Sequence, residues 1–346
     1  MNVYIIKSLQ EILTIYFWKE NLNLLLSIKG DTMKQKVLSI AIIIVLVSSV
    51  IFSQDDTTKT TENPKEKKWK WESDKSGDKY FYDFDYDFDF DFIGMNRKPA
   101  ISLNVGMTQL KRKDLQTENL ADPLSFELKL GTVKQKNIYE KENLIKEHYN
   151  YFVISNYSSY LKNKNSKLSD INTDTWKFGF GNQKGYGYKL SQSFAIIPYT
   201  ESSLNWSRVN FAYDTNFVNN NDIKIMEMYD ESFRFGNSSA GGVKVQMFNN
   251  LAVDFSYERQ IVFQRVLFWK WAGSSIVELA SQGLLDNFID RIFESSPYAA
   301  PIVSFVLKNA LSYGIYELRQ EKMNWPFNSE SPLSFDQFKV GVTFIF

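Results

Sequence analysis

The nine residues that end the chain, Phe338–Phe346, read FKVGVTFIF. Phe338, Val340, Val342, Phe344 and Phe346 fall on one side of a period-two pattern, while Lys339, Gly341 and Thr343 fall on the other and only Ile345 is out of place. This is the spacing of a strand, since a helix would scatter the five residues around its circumference. Apolar on one face and small or polar on the other, such a strand suits a wall with hydrocarbon outside and a lumen inside.

The same alternation recurs upstream. Ile101, Leu103, Val105 and Met107 alternate with Ser102, Asn104, Gly106 and Thr108, and Leu124, Phe126, Leu128 and Leu130 alternate with Ser125, Glu127, Lys129 and Gly131. Both read as spanning strands. Tyr149, Tyr151 and Val153 give a weaker third, followed by a polar loop from Lys162 to Asp174. Trp176, Phe178 and Phe180 then lead through Asn182, Gln183 and Lys184 into Tyr186, Tyr188 and Leu190, which predicts a hairpin of two strands. Phe194–Tyr199, interrupted by Pro198, and Leu204–Phe211, of poor alternation, give a sixth and a seventh.

The pattern is sharpest where Val243, Val245 and Met247 run into a turn at Asn249 and Asn250, and Leu251, Val253, Phe255 and Tyr257 run out of it. With the closing strand this predicts about ten strands, within a range of 8 to 12. If the short Asn249 turn is periplasmic, the strand from Leu251 runs outward and the closing strand must return to end in the periplasm. An N-terminus on the same side makes the strand count even.

Between about Gln264 and Asp336 the period turns helical, which places a helical insertion before the last strand. Ser275 and Glu278 match a capping box, Leu284, Phe288 and Ile292 form one stripe, and Pro297 stops the run. Pro301 opens a second helix that carries Ile302, Phe305, Val306, Ala310, Tyr313 and Leu318 to about Gln320. The topology sets this hairpin outside the cell, packed on its partner helix, the barrel rim or lipid headgroups. A helix about 10 to 12 Å across would not fit a lumen of ten strands.

A second beginning is written inside the N-terminal region. Residues 1–32 are mixed and precede Met33, Lys34 and Lys36, after which Val37–Phe52 is a nearly unbroken apolar run. That run is shorter than the ~20 residues a spanning helix needs and ends in small residues, the grammar of a secretory signal peptide cleaved after about Ser53. Residues 1–32 then read as an upstream extension outside the true coding start, residues 33–53 as the signal peptide and residues 54–99 as a low-complexity periplasmic leader. The leader carries an unbroken Tyr/Phe–Asp alternation from Tyr82 to Phe92. Its Asp83, Asp85, Asp87, Asp89 and Asp91 would share one strand face, ~6.6 Å apart, and repel one another unless solvated or bridged by a divalent cation. No register supplies both the Gly and the Glu of a calcium loop, so these five are weak metal candidates beside the plainer reading of a solvated edge.

The terminal strand, with Phe at its end, resembles the closing strand of Gram-negative outer-membrane β-barrels. The resemblance covers residues 100–346 in pattern, though only the last strand carries a motif. It implies an all-β, transmembrane antiparallel β-barrel with a helical insertion, located in the outer membrane. Its partners would be outer-membrane lipid and the barrel-assembly machinery, which would read Phe338, Val340, Val342, Phe344 and Phe346 as an assembly signal. The helical insertion departs from the common small barrels, so their particular functions do not transfer.

Composition narrows the functions that remain. With 40 Lys and Arg against 40 Asp and Glu, the chain of 346 residues has no net field to attract nucleic acid. It has no Cys, which excludes disulfides, thiolate metal ligation and a lipid-modified cysteine. Its one His, His148, leaves little material for a zinc site or a catalytic relay, and no cofactor is expected. The 28 Phe, 19 Tyr and 8 Trp suit a lipid-facing wall with aromatic girdles. Glu127, Lys129, Lys177, Lys189, Lys244, Asp254, Glu258 and Lys339 fall on the inward side of their strands. They either line a small-solute, porin-like pore or pair across a narrow lumen and fill it, and the second reading fits a small barrel better.

The expected role is therefore structural or surface-interacting, or that of a small channel, without catalysis. Two alternatives stay open. A lipid-modifying enzyme of the outer membrane would need His148, beside Glu147 and Tyr149, as its base. A secreted soluble all-β binding protein would leave the one-sided aromatic faces unexplained.

Overall fold

In a computed structural model, the structure describes residues 97–116, 120, 122–138, 141–161, 171–230 and 232–346. The upstream extension, the signal segment, nearly all of the leader and Asp83, Asp85, Asp87, Asp89 and Asp91 lie outside the described residues. The described chain forms a closed barrel of eight antiparallel strands in sequence order. These are β1 (Lys98–Lys111), β2 (Leu124–Ile138), β3 (Lys141–Ser158), β4 (Asn172–Lys189), β5 (Ala195–Ala212), β6 (Arg234–Phe248), β7 (Leu251–Val262) and β8 (Leu333–Ile345). Three α-helices accompany them among the described residues: α1 (Asn220–Glu227) between β5 and β6, and α2 (Phe268–Ser295) with α3 (Ala300–Glu321) between β7 and β8.

Closure is made by β1 and β8, with Ile101 opposite Phe344 and Met107 opposite Phe338. Ser102 and Thr343 hydroxyls meet at 2.7 Å inside that seam, and the Phe346 N–H donates to the Pro99 carbonyl at 2.9 Å. Phe338, Val340, Val342 and Phe344 all face outward, while Lys339, Gly341 and Thr343 are buried inside. The start of β1, the end of β8 and the short connections after β2, β4 and β6 share one end of the barrel, here the turn end. The longer connections share the other, the loop end.

Eight strands stand where the sequence spacing favours ten. The expected hairpin of Trp176–Phe180 and Tyr186–Leu190 is one strand, β4, and Asn182, Gln183 and Lys184 lie within it without turning. Phe194–Tyr199 and Leu204–Phe211 likewise merge into β5, which runs through Pro198. The physical reason is visible in parity: Trp176, Phe178, Phe180, Tyr186 and Tyr188 are all even-numbered, so one uninterrupted pleat holds them on one face. The parity of β3 also differs from expectation. Tyr149, Tyr151 and Val153 are buried inside, and Phe152 and Ile154 face out.

The inside is packed in layers. At the turn end Ala100, Val133, Tyr149, Tyr151, Val153 and Ile345 form an apolar cluster, and at the loop end Leu110, Val209, Tyr229, Val262, Leu333 and Phe335 form another. Glycine makes room for the rings: a Cβ at Gly181 would lie 2.2 Å from the Tyr151 hydroxyl and 2.3 Å from its ring. Outside, Leu103, Val105, Met107, Phe126 and Phe255 are each close to half exposed and form part of a continuous apolar belt.

The helices differ from expectation in start and in place. α2 begins at Phe268, so Ser275 and Glu278 sit in its interior and not in a capping box. The hairpin does not stand above the barrel. It lies along the outer wall, α3 running over β4, β5, β6 and β7. Its tip reaches the turn end, where Phe293 packs on Tyr186 with ring centroids 4.7 Å apart and the Tyr188 hydroxyl donates to the Tyr298 carbonyl at 2.5 Å.

Candidate functional site

The strands bring four lysines and five carboxylates into the barrel interior. Alternation supplies each one: Glu127 and Lys129 from β2, Glu147 from β3, Lys177 from β4, Glu201 from β5, Lys244 from β6, Asp254 and Glu258 from β7 and Lys339 from β8. Lys339 Nζ donates to Glu127 at 2.8 Å and to Glu258 at 2.6 Å. Lys177 lies 3.0 Å from Glu258 and 3.4 Å from Glu127. Lys129 donates to both oxygens of Glu201, at 2.8 and 2.7 Å, and lies 3.5 Å from Glu127. Glu127 accepts further bonds from Asn104 at 3.2 Å and Ser155 at 3.1 Å.

Nearer the turn end, Lys244 donates to Glu147 at 2.6 Å and Thr343 donates to Asp254 at 2.6 Å. Tyrosine rings complete the packing, with Lys129 4.5 Å from the Tyr151 centroid, Lys177 5.4 Å from Tyr157 and Lys244 5.4 Å from Tyr149. Buried charges are tolerable only when paired and hydrogen-bonded, and here the pairs run from β2 to β4, β5 and β8 and from β7 to β4 and β8.

Seven of the eight residues assigned inward by alternation thus meet in this interior. The eighth, Lys189, is half-buried at the turn end, where β4 stops. Glu147 and Glu201 complete the network but escaped the sequence reading. Correct parity for β3 and β5 would have placed both beside the tyrosines that share their face.

The loop end is capped by polar contacts. Arg112 donates to Tyr229 at 2.6 Å and to Asp114 at 2.5 Å, and Tyr229 also accepts from the Leu333 N–H at 3.2 Å. Burial pushes the Tyr229 hydroxyl up to about 12, which keeps it neutral against the opposing pull of Arg112. His148 faces outward near the turn end and bonds to Asn182. Among the described residues no group of three His, Asp or Glu could hold a metal ion.

A second polar region lies on the outer wall beneath the hairpin. A cavity of about 270 Å³ separates wall from helices, lined by Asn182, Lys184 and Arg259 of the wall and by Asp286, Lys308 and Arg319 of the helices, among others. Two ion pairs join the helices there, Lys308 to Asp286 at 2.6 Å and Arg319 to Glu278 at 2.9 Å. Arg259 is buried on the outer face, 5.5 Å from the Tyr313 ring, and pairs in register with Asp336, which accepts from the Tyr316 hydroxyl at 2.6 Å.

No family model matches the chain, and no curated protein matches it. Among solved structures it is similar to Neisserial surface protein A, with 10% identity, 72% of this chain and 97% of that one covered, and a TM-score of 0.32. It is also similar to Ail, the attachment invasion locus protein of Yersinia pestis, with 8% identity, 73% and 100% covered, and a TM-score of 0.28.

Proposed function

We propose that the chain is an outer-membrane β-barrel with a sealed lumen, acting as a structural or surface-interaction protein and not as a solute channel. The observation that carries this reading is the filled interior, an ion-paired layer between two apolar clusters. Lys177, Lys339, Glu127 and Glu258 at its centre are each no more than 4% exposed. Eight strands give an interior just wide enough for side chains to fill, in agreement with that packing. The apolar belt supports the membrane reading, because a soluble protein rarely exposes so large a continuous patch. In this reading the chain is exported through a signal peptide cleaved after about Ser53. The assembly machinery then engages the outward row ending in Phe346.

Reconstitution in planar bilayers tests the proposal. The purified protein, folded as judged by heat-modifiable migration on gels, is expected to give no steady conductance. A stable open level in every insertion would replace the sealed barrel by a channel. A protein that stays in solution without detergent and shows no heat-modifiable form would remove it from the membrane.

A further inference from the structure

We infer that the α2–α3 hairpin is itself embedded in the bilayer, its outward face against acyl chains and its polar face against the barrel wall. The inference rests on the membrane reading of the barrel. β4, with 18 residues, spans about 45 Å along the barrel axis at ordinary strand rise and tilt. α2, with 28 residues, is about 42 Å long. The hairpin leaves the loop end, where Trp271 packs on Phe235, and its tip contacts Tyr186 and Tyr188 at the turn end. A helix pair that covers the wall over this height shares the wall's solvent.

The faces of the helices agree with that solvent. Toward the wall and partner helix α2 turns Ser274, Glu278, Gln282, Asp286 and Phe293, and α3 turns Ser304, Lys308, Ser312, Tyr316 and Arg319, each at helical spacing. Outward it turns Ile276 at 65% exposure, Leu284 at 75% and Phe288 at 54%, with Val306, Ala310 and Leu318 beside them on α3. Between exposed Lys270 and exposed Asp290 no exposed residue of α2 is charged. Those 19 intervening positions cover about 28 Å, close to the ~25 Å apolar band of such barrels. Charge returns at the tip with Asp290, Arg291 and Glu294.

The wall requires the same arrangement. Asn182, Lys184, Ser202, Asn237, Ser239 and Arg259 face outward where acyl chains would otherwise touch them. In hydrocarbon each of these polar side chains would cost free energy that contact with the helices' polar face lowers. No helix among the described residues is long and apolar enough to cross a membrane by itself. The polar half of each helix accounts for this, since it is turned to protein and not to lipid.

The test uses single cysteines in the full chain, which has none of its own. Leu284→Cys is labelled with an environment-sensitive fluorophore and refolded into phosphatidylcholine vesicles carrying doxyl groups at mid-chain. Val105→Cys, on the bare wall of β1, serves as the membrane control, and Lys270→Cys as the interfacial one. The expected result is quenching at Leu284 by mid-chain doxyl within twofold of that at Val105, with iodide quenching reduced at least fivefold relative to Lys270. Iodide access at Leu284 with doxyl quenching at Val105 overturns the embedded hairpin and leaves the membrane barrel standing. Iodide access at both positions overturns the membrane reading itself. Phe288→Cys, measured in the same way, decides the matter where Leu284→Cys does not reach the heat-modifiable form.

Discussion

Replacing Lys339 by Met tests how the barrel interior is held. The ammonium lies 2.8 Å from Glu127 and 2.6 Å from Glu258, so at an effective dielectric near 20 each contact is worth about 6 kcal/mol before the cost of burial is subtracted. Met fills similar volume but supplies no charge. The central layer changes from three lysines facing Glu127, Glu201 and Glu258 to two, and Lys129 is already committed to both oxygens of Glu201. Lys177 then serves Glu127 at 3.4 Å and Glu258 at 3.0 Å, with Lys129 3.5 Å from Glu127 as the remaining cation nearby. Removing one partner from a buried pair typically costs about 3–5 kcal/mol, and that is the expected loss for Lys339→Met.

Adding Glu258→Gln should recover much of it. In the double variant Glu127 keeps Lys177 and Glu201 keeps Lys129, so no carboxylate of this layer is left without a cation. The expected signature in a double-mutant cycle is a coupling of at least about 2 kcal/mol, with the double variant more stable than Lys339→Met alone. Urea unfolding from detergent micelles or vesicles, followed by tryptophan emission and the heat-modifiable gel shift, measures all four proteins. Additive losses, or a loss below about 1 kcal/mol for Lys339→Met, would refute the paired layer as the element that holds the interior.

Arg319→Ala breaks the buried contacts of Arg319 with Glu278 and Ser274, both 2.9 Å, and should loosen the hairpin by about 3 kcal/mol. Limited proteolysis between α2 and α3, at unchanged heat-modifiability of the barrel, is the expected readout, and cleavage no faster than in the parent would contradict it. At the loop end, burial raises the Glu330 carboxyl, but backbone and Arg265 hydrogen bonds outweigh it and hold the group below its usual range. A depressed carboxylate contributes stability above its unfolded value of ~4.3 and loses it as pH falls through the folded one. The segment between α3 and β8 should therefore become more exposed to pepsin below about pH 4, by a small margin because the pair is partly solvated. Glu330→Gln should remove that pH dependence.

The closing strand was legible from its period, and the even strand count from the direction that the Asn249 turn sets for it. The errors in strand count share one location. Asn182 and Lys184 read as a turn, β5 read as two weak strands across Thr200 and Ser202, and the first half of β6, with Asn237 and Ser239, did not register as a strand. All of these polar residues face outward, beneath the helical hairpin. A reading that assigns hydrocarbon to every outward position must break a strand wherever a polar residue points out. The helices carry the complementary signal: Leu284 and Phe288 of the α2 apolar stripe are exposed, while Glu278, Asp286, Lys308 and Arg319 are turned inward. Each pattern looks irregular alone, and together they describe one interface, polar within and apolar without. Its partners, such as Arg259 with Tyr313 and Tyr188 with Tyr298, lie 54 and 110 residues apart in sequence. Local periodicity can therefore mark where the wall is polar, but only the closed barrel shows what covers it.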